Sequence, residues 1–207
     1  MNLINRFANN NESFRMLHTE PILSETISEK IISWLPNSAR EYVIVCIGTD
    51  RSTGDALGPL VGSYFQEMRP RHMTVYGTLH DPVHATNLTE SIVKINETHR
   101  NPFIIAIDAC LGKNTSIGHI ITGTGPLKPG AALNKPLPEV GDVHITGVVN
   151  IGGFMEYSIL QNTRLSIVVD MAKQIAAILD HIDQRLTSNE TIPATITMRK
   201  RKRKNMV

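Results

Sequence analysis

The chain has 207 residues, a length that fits one domain with tails, and no apolar run long enough to span a membrane as a helix. Its formal charge of +2 misleads, because residues 199–204 alone carry six positive charges. Removing them leaves 21 − 6 = 15 basic against 19 acidic residues, so the body is acidic and a broad basic face for nucleic acid is excluded.

In chain order, residues 1–21 are polar and rich in Asn, and are expected to be loosely held. The opening Met-Asn-Leu-Ile-Asn-Arg-Phe has no signal-peptide apolar core, which gives the expectation of a cytoplasmic protein. Residues 22–35 place Ile27, Ile31, Ile32, Trp34 and Leu35 on one helical face, ended by Pro36. Tyr42 to Ile47 is a continuous, β-branched apolar run of the kind buried on both faces of a sheet. A polar loop follows Gly48, and from about Ala56 to Met68 the residues Leu57, Leu60, Val61, Tyr64 and Phe65 recur at helical spacing.

Met73 to Gly77 reads as a short strand, and Thr86 to Thr98 as a helix with Leu88, Ile92, Val93 and Ile95 on its stripe. Phe103 to Ile107 is a second buried strand, with Asp108 expected at its carboxyl end, and Gly118 to Thr122 a further strand. Residues 123–144 contain four Pro and four Gly and are expected to form a long functional loop. Residues 145–160 are apolar and punctuated by Gly, and their periodicity fixes neither state. Leu165 to Leu186 reads as a long amphipathic helix, and residues 187–207 as a disordered basic tail. The alternation of strands and helices predicts an α/β fold: one domain over residues 22–186, a mostly parallel sheet with helices on both faces.

Such sheets bind ligands beyond the carboxyl ends of their strands. That puts the loop 48–55, with Asp55 at its junction with the helix, beside Asp108. Two carboxylates in one cleft share a proton and activate water; with a third ligand the same pair holds a divalent metal. Each also has a plain structural reading, Asp55 as a helix cap and Asp108 as a strand-end residue binding a turn. His144, in Gly-Asp-Val-His-Ile-Thr-Gly, is a candidate metal ligand or general base, and a lone histidine is also commonly structural. His84 is expected near the same cleft, and His80 is read as a solvated loop residue. Gly48, Gly54 and Gly58 match neither the dinucleotide fingerprint nor the P-loop, which excludes a nucleotide site on motif grounds. Cys46 and Cys110 are read as free thiols. The 199–204 run is read as a solvated tail with at most nonspecific affinity for nucleic acid.

The stretch Gly-Thr-Asp-Arg-Ser-Thr-Gly-Asp-Ala-Leu-Gly-Pro at 48–59 resembles the Gly-rich loop of the germination protease of spore-forming bacteria. Ile-Ala-Ile-Asp-Ala at 105–109 is similar to that protease's second aspartate motif, and residues 125–135 are weakly similar to its Gly-rich segment before an Asn-Lys pair. Over residues 40 to about 180, including Pro-Val-His-Ala at 82–85 and Gly-Gly-Phe-Met-Glu-Tyr at 152–157, the chain resembles the YyaC group of sporulation proteins, described as predicted spore proteases.

The wider relatives are the hydrogenase-maturation endopeptidases, whose His-x-x-Gly is similar to His144-Ile-Thr-Gly147. The resemblance implies a three-layer α/β/α sandwich of the hydrogenase-maturation-peptidase type. It also implies peptidase activity on a peptide or protein in sporulation or germination, inside the forespore or spore. In the germination protease the pair mapping to Asp55 and Asp108 acts without a metal. In the maturation peptidases a metal is bound at positions mapping to Asp55, Asp108 and His144, so either no cofactor or one divalent ion (nickel, zinc or manganese) is implied. Asp50-Arg51 departs from the Asn usual in this loop, at the edge facing the substrate. A second reading is a catalytically inactive peptide- or metal-binding protein of the spore. The sequence leaves the oligomeric state open.

Overall fold

The computed structural model describes residues 12–129 and 137–190. The basic run 199–204, and residues 130–135 of the segment similar to the germination protease, lie outside the described residues.

Six strands form one mixed sheet: β1 (Ser13–Leu17), β2 (Tyr42–Cys46), β3 (Met73–Tyr76), β4 (Phe103–Gly112), β5 (His119–Thr124) and β6 (Val143–Ile151). Their spatial order is β1-β5-β6-β4-β2-β3. The pairings of β6 with β4, β4 with β2 and β2 with β3 are parallel. Those of β5 with β6 and β1 with β5 are antiparallel. The helices are α1 (Leu23–Ile32), α2 (Leu57–Glu67), α3 (Leu88–Thr98), α4 (Glu156–Gln161) and α5 (Leu165–Glu190).

Alternation along the strands divides the sheet residues between two cores. Ile44, Cys46, Ile105, Ile107, Val143 and Ile145 pack against Leu23 and Ile27 of α1, Leu57, Val61 and Phe65 of α2, and the Val168-to-Ile182 stripe of α5. Val43, Val45 and Ala106 face the other way, toward Leu88 and Ile95 of α3 and toward Leu127 and Val140. The result is the expected three-layer α/β/α sandwich, with α1, α2, α5 and Leu160 of α4 on one face and α3 on the other. Each fully buried Leu, Ile, Val or Phe in these cores stabilises the fold by roughly 1.5–3 kcal/mol.

Several expectations shift. Ser13–Leu17, placed within a loosely held segment, is an edge strand paired with β5 from Ser13↔Gly123 to Leu17↔His119. The unsettled residues 145–160 divide into the end of β6, a turn and α4. The expected loop 123–144 is bounded by strands at both ends: Thr124 belongs to β5, Val143 and His144 to β6, and Leu127 bridges Val140. The last helix runs on to Glu190, four residues past the expected boundary. Strand β4 also runs past its expected end, to Gly112. Asp108 therefore lies inside β4, at the first position after β2 has stopped pairing with it at Cys46↔Ile107.

Candidate active site

From β2 the chain turns through α2 to β3 on one side of the sheet. After α3 it returns to β4, on the other side of β2, and the sheet then grows away through β6 and β5. Strands β2 and β4 thus flank the point at which the winding reverses, where open α/β sheets form a crevice at the carboxyl ends of their strands. A cleft of about 750 Å³ opens there. Its lining includes Asp55, Asp108, His84, Cys110, His144 and Thr146.

The loop that carries Asp55 is fixed from both ends. Gly48 has φ +150° and approaches the loop's far end so closely that a Cβ there would lie 2.0 Å from the Asp55 carbonyl oxygen. The Thr49 amide donates to that same oxygen at 3.1 Å, and the Gly48 amide to Val83 O at 2.8 Å. Gly58 lets the first turn of α2 sit on the end of β2, with its would-be Cβ 2.1 Å from Ile47 O. From the other side the Gly54 amide donates to Leu160 O of α4 at 2.8 Å. No side chain caps α2, so the cap reading of Asp55 is not realised.

The two aspartates line the same cleft, and the charge of Asp55 is felt at Asp108. Asp108 is half-buried by surface, but its carboxyl group is deep enough for loss of solvation to dominate, which pushes its pKa up to about 8. The Ala109 amide, donating to Asp108 Oδ1 at 2.8 Å, pulls it partly back, and the charge of Asp55 raises it further. Burial also raises Asp55, and the neighbouring Ser52 hydroxyl lowers it. Ser52 is 5% exposed and its Oγ has no partner in hydrogen-bonding geometry among the described residues, so this influence acts through proximity. The pair is thus split, with Asp108 the member that keeps its proton at neutral pH.

His144 lines the cleft from β6, on the same sheet face as Asp108 by alternation. Its Nδ1–H donates to Gly125 O at 2.9 Å. Its Cε1 and Nε2 lie 2.9 and 3.0 Å from where a Cβ on Gly123 of β5 would stand, so the ring leans toward β5 and away from β4. Among the described residues no group of three or more His, Cys, Asp or Glu side chains is disposed to hold a metal ion. Asp55, Asp108 and His144 share the cleft but do not form a three-ligand set in this arrangement, because the imidazole is held to the opposite side of β6.

His84 also lines the cleft, with Thr86 Oγ1 2.9 Å from its Nδ1, whereas His80 is exposed and outside it. Cys46 is fully buried, but Cys110 faces the cleft, where burial raises its thiol to about 11 and keeps it neutral. Pro126, Leu127, Lys128, Pro129 and Leu137 form one wall, as expected of the loop 123–144. Residue-by-residue reading missed Ser52, Thr146, which faces Asp108 in register, and Tyr157 on the opposite wall. All three fall inside the stretches 48–59, 144–147 and 152–157 that carry the resemblance, but nothing in those stretches marks them as cleft residues; the strand register and the position of α4 bring them in.

A crystal structure of the [NiFe] hydrogenase maturation protease HycI from Thermococcus kodakarensis KOD1 is similar at 16% identity, with a TM-score of 0.49 over 74% of this chain and 99% of that one. The uncharacterized protein YyaC of Bacillus subtilis (strain 168) is 52% identical over 168 residues, 81% of this chain and 82% of its own length, in line with the resemblance read over residues 40–180. A family model described as DUF1256, a protein of unknown function, matches residues 15–178, and the chain belongs to that family.

Proposed function

We propose that this chain is an endopeptidase in which Asp55 and Asp108 activate water against a peptide bond without a resident metal. The observation that carries the reading is the pair itself: two carboxyl groups that sense each other in one cleft, with burial holding one of them protonated. Asp55, the less displaced, accepts a proton from the attacking water. Asp108 donates its proton to the carbonyl oxygen of the scissile bond, giving a gem-diol; as the C–N bond breaks, the proton on Asp55 passes to the leaving amine and one hydroxyl of the gem-diol returns its proton to Asp108. Unlike acidities suit unlike roles. The bond from His144 Nδ1–H to Gly125 O fixes the ring as part of the cleft wall.

The similarity of residues 48–59 and 105–109 to the germination protease, together with the Bacillus relative, supports a protein of sporulation or germination as substrate. The test is cleavage of small spore proteins at mildly acidic pH by the wild-type chain and by Asp55→Asn and Asp108→Asn. The expected result is turnover by the wild type and none by either variant, with both variants folded by circular dichroism. A folded variant that retains turnover overturns the proposal.

A further inference from the structure

The cleft has a backbone feature that the carboxylate pair does not explain. Strand β4 is paired on both sides only as far as Ile107. Beyond it β4 continues to Gly112 against β6 alone, and among the described residues no strand or bridge pairs with its other side. Backbone direction alternates along a strand, and two hydrogen bonds fix the phase here. The Ile47 amide donates to Ile107 O at 2.7 Å, so the odd-numbered residues of β4 face the β2 side. The Gly152 amide donates to Gly112 O at 2.8 Å, so the even-numbered ones face β6. The peptide groups of Ala109 and Leu111 therefore point into the space that β2 has vacated. That space is the cleft, for Asp108, Ala109, Cys110 and Leu111 all line it.

The walls fit the same geometry. A strand laid beside β4 would place alternate side chains on opposite faces of the sheet. On one face it meets Leu127 and Leu137, part of the core that includes α3. On the other it meets Tyr157 and Leu160 of α4, Leu160 belonging to the opposite core. Unpaired strand edges recognise extended chains through main-chain hydrogen bonds, and flanking pockets select side chains.

We propose that the substrate binds as an added strand in line with β2. An extended polypeptide pairs its backbone with Ala109 and Leu111 and sets alternate apolar side chains against Leu127 and Leu137 on one face and Tyr157 and Leu160 on the other. The free edge spans about 15 Å at the usual rise of a strand, room for roughly five substrate residues. The Ala109 amide is already held by Asp108 Oδ1, so the Ala109 carbonyl and the Leu111 amide and carbonyl are the pairing groups. An incoming chain bound this way has a peptide bond beside Asp108, at the start of the free edge. Most strands of a folded protein are already paired, which makes the substrate an unfolded or exposed segment. This inference rests on the reading of the cleft as a peptide-cleaving site.

The experiment follows amide hydrogen exchange by NMR in the full chain carrying Asp55→Asn. One probe is a mixture of ten-residue peptides randomised at every position; the other is the same mixture with alternate amides N-methylated in both registers. The expected result is at least tenfold slower exchange at Leu111 with the plain mixture and none of that slowing with the methylated one. Unchanged exchange, or equal slowing by both mixtures, overturns the proposal. Slowing at Leu111 that rises with protein concentration in the absence of peptide also overturns it, since a second copy then occupies the edge. Protection by the plain mixture with no cleavage of it by the wild type would sustain the strand site and remove the peptidase reading. Cleavage with Leu111 unprotected would do the reverse.

Discussion

Replacing Asp108 by asparagine is expected to abolish turnover and at the same time to stabilise the protein above neutral pH. In the folded chain the Asp108 carboxyl is raised from 3.8 to about 8, chiefly by burial. The folded state therefore binds this proton more tightly than the unfolded state does. Unfolding between about pH 4 and pH 8 releases it, and stability falls as pH rises through that window. Below the window both states are protonated and the cost is absent; above it the cost is complete. A shift of about four units at about 1.4 kcal/mol each sets a ceiling near 6 kcal/mol. Asp108 keeps a partly exposed edge, and solvent screening brings the expected effect down to a few kcal/mol. Asparagine imitates the neutral acid in size and cannot ionise. Urea unfolding of both proteins at pH 5 and pH 9 reads the difference directly. The variant is expected to gain on the wild type by on the order of 2–4 kcal/mol between the two pH values. A stability difference that does not change with pH, or an asparagine variant that is the weaker protein at pH 9, would refute the reasoning.

On the proposed mechanism Asp55→Asn removes the base and is expected to leave no measurable turnover of the same substrate, with the variant folded by circular dichroism. The wild-type rate is expected to decline above about pH 8, where Asp108 loses the proton it donates, which a pH–rate profile of kcat/KM checks. Calorimetric titration with nickel, zinc and manganese is expected to give the same result for the wild type and His144→Ala, since His144 leans toward Gly123 and is engaged by Gly125. Micromolar binding lost in the variant would instead establish a metal centre. Gly58→Ala places a methyl group 2.1 Å from Ile47 O, where the atoms it meets are all backbone, and is expected to cost about 1–3 kcal/mol or more in thermal or urea unfolding.

The central strand and the two helices that follow it were legible because each carries its burial in its own residues. Tyr42 to Cys46 is apolar at every position, as a strand covered on both faces requires. Asp55 and Asp108 were legible as a pair because topology alone puts strand ends together. The length of β4 was not. Asp108 interrupts an apolar run and looks like a terminus, and only its partner β6 shows the strand continuing. The glycine of His144-Ile-Thr-Gly147 reads as punctuation, but Gly147 is a packing position. A Cβ there would meet Leu57 Cδ2 at 2.5 Å and Met171 Cε at 2.8 Å. The orientation of the His144 ring has no signature in the sequence at all, since it depends on a carbonyl nineteen residues earlier in the chain. For the same reason the choice between a bare aspartate pair and a metal centre could not be made from motifs.

Strand β1 has a consequence for the order in which the molecule assembles. Its partner on the sheet is β5, and the Glu12 amide reaches Thr124 Oγ1 across 112 residues of sequence. During synthesis the first strand must wait for most of the chain before its hydrogen bonds have anywhere to go, and closing so large a loop is slow. The parallel pairs β2–β3 and β2–β4 need far shorter closures and can form without it. The edge at β5 is then expected to be covered after the β2 pairs have formed. As the border pair of the sheet, β1 and β5 are expected to open before the strands that hold the aspartates, an order that native-state hydrogen exchange reads directly. The strands that carry the aspartates are thereby set apart from fraying at the β1 border.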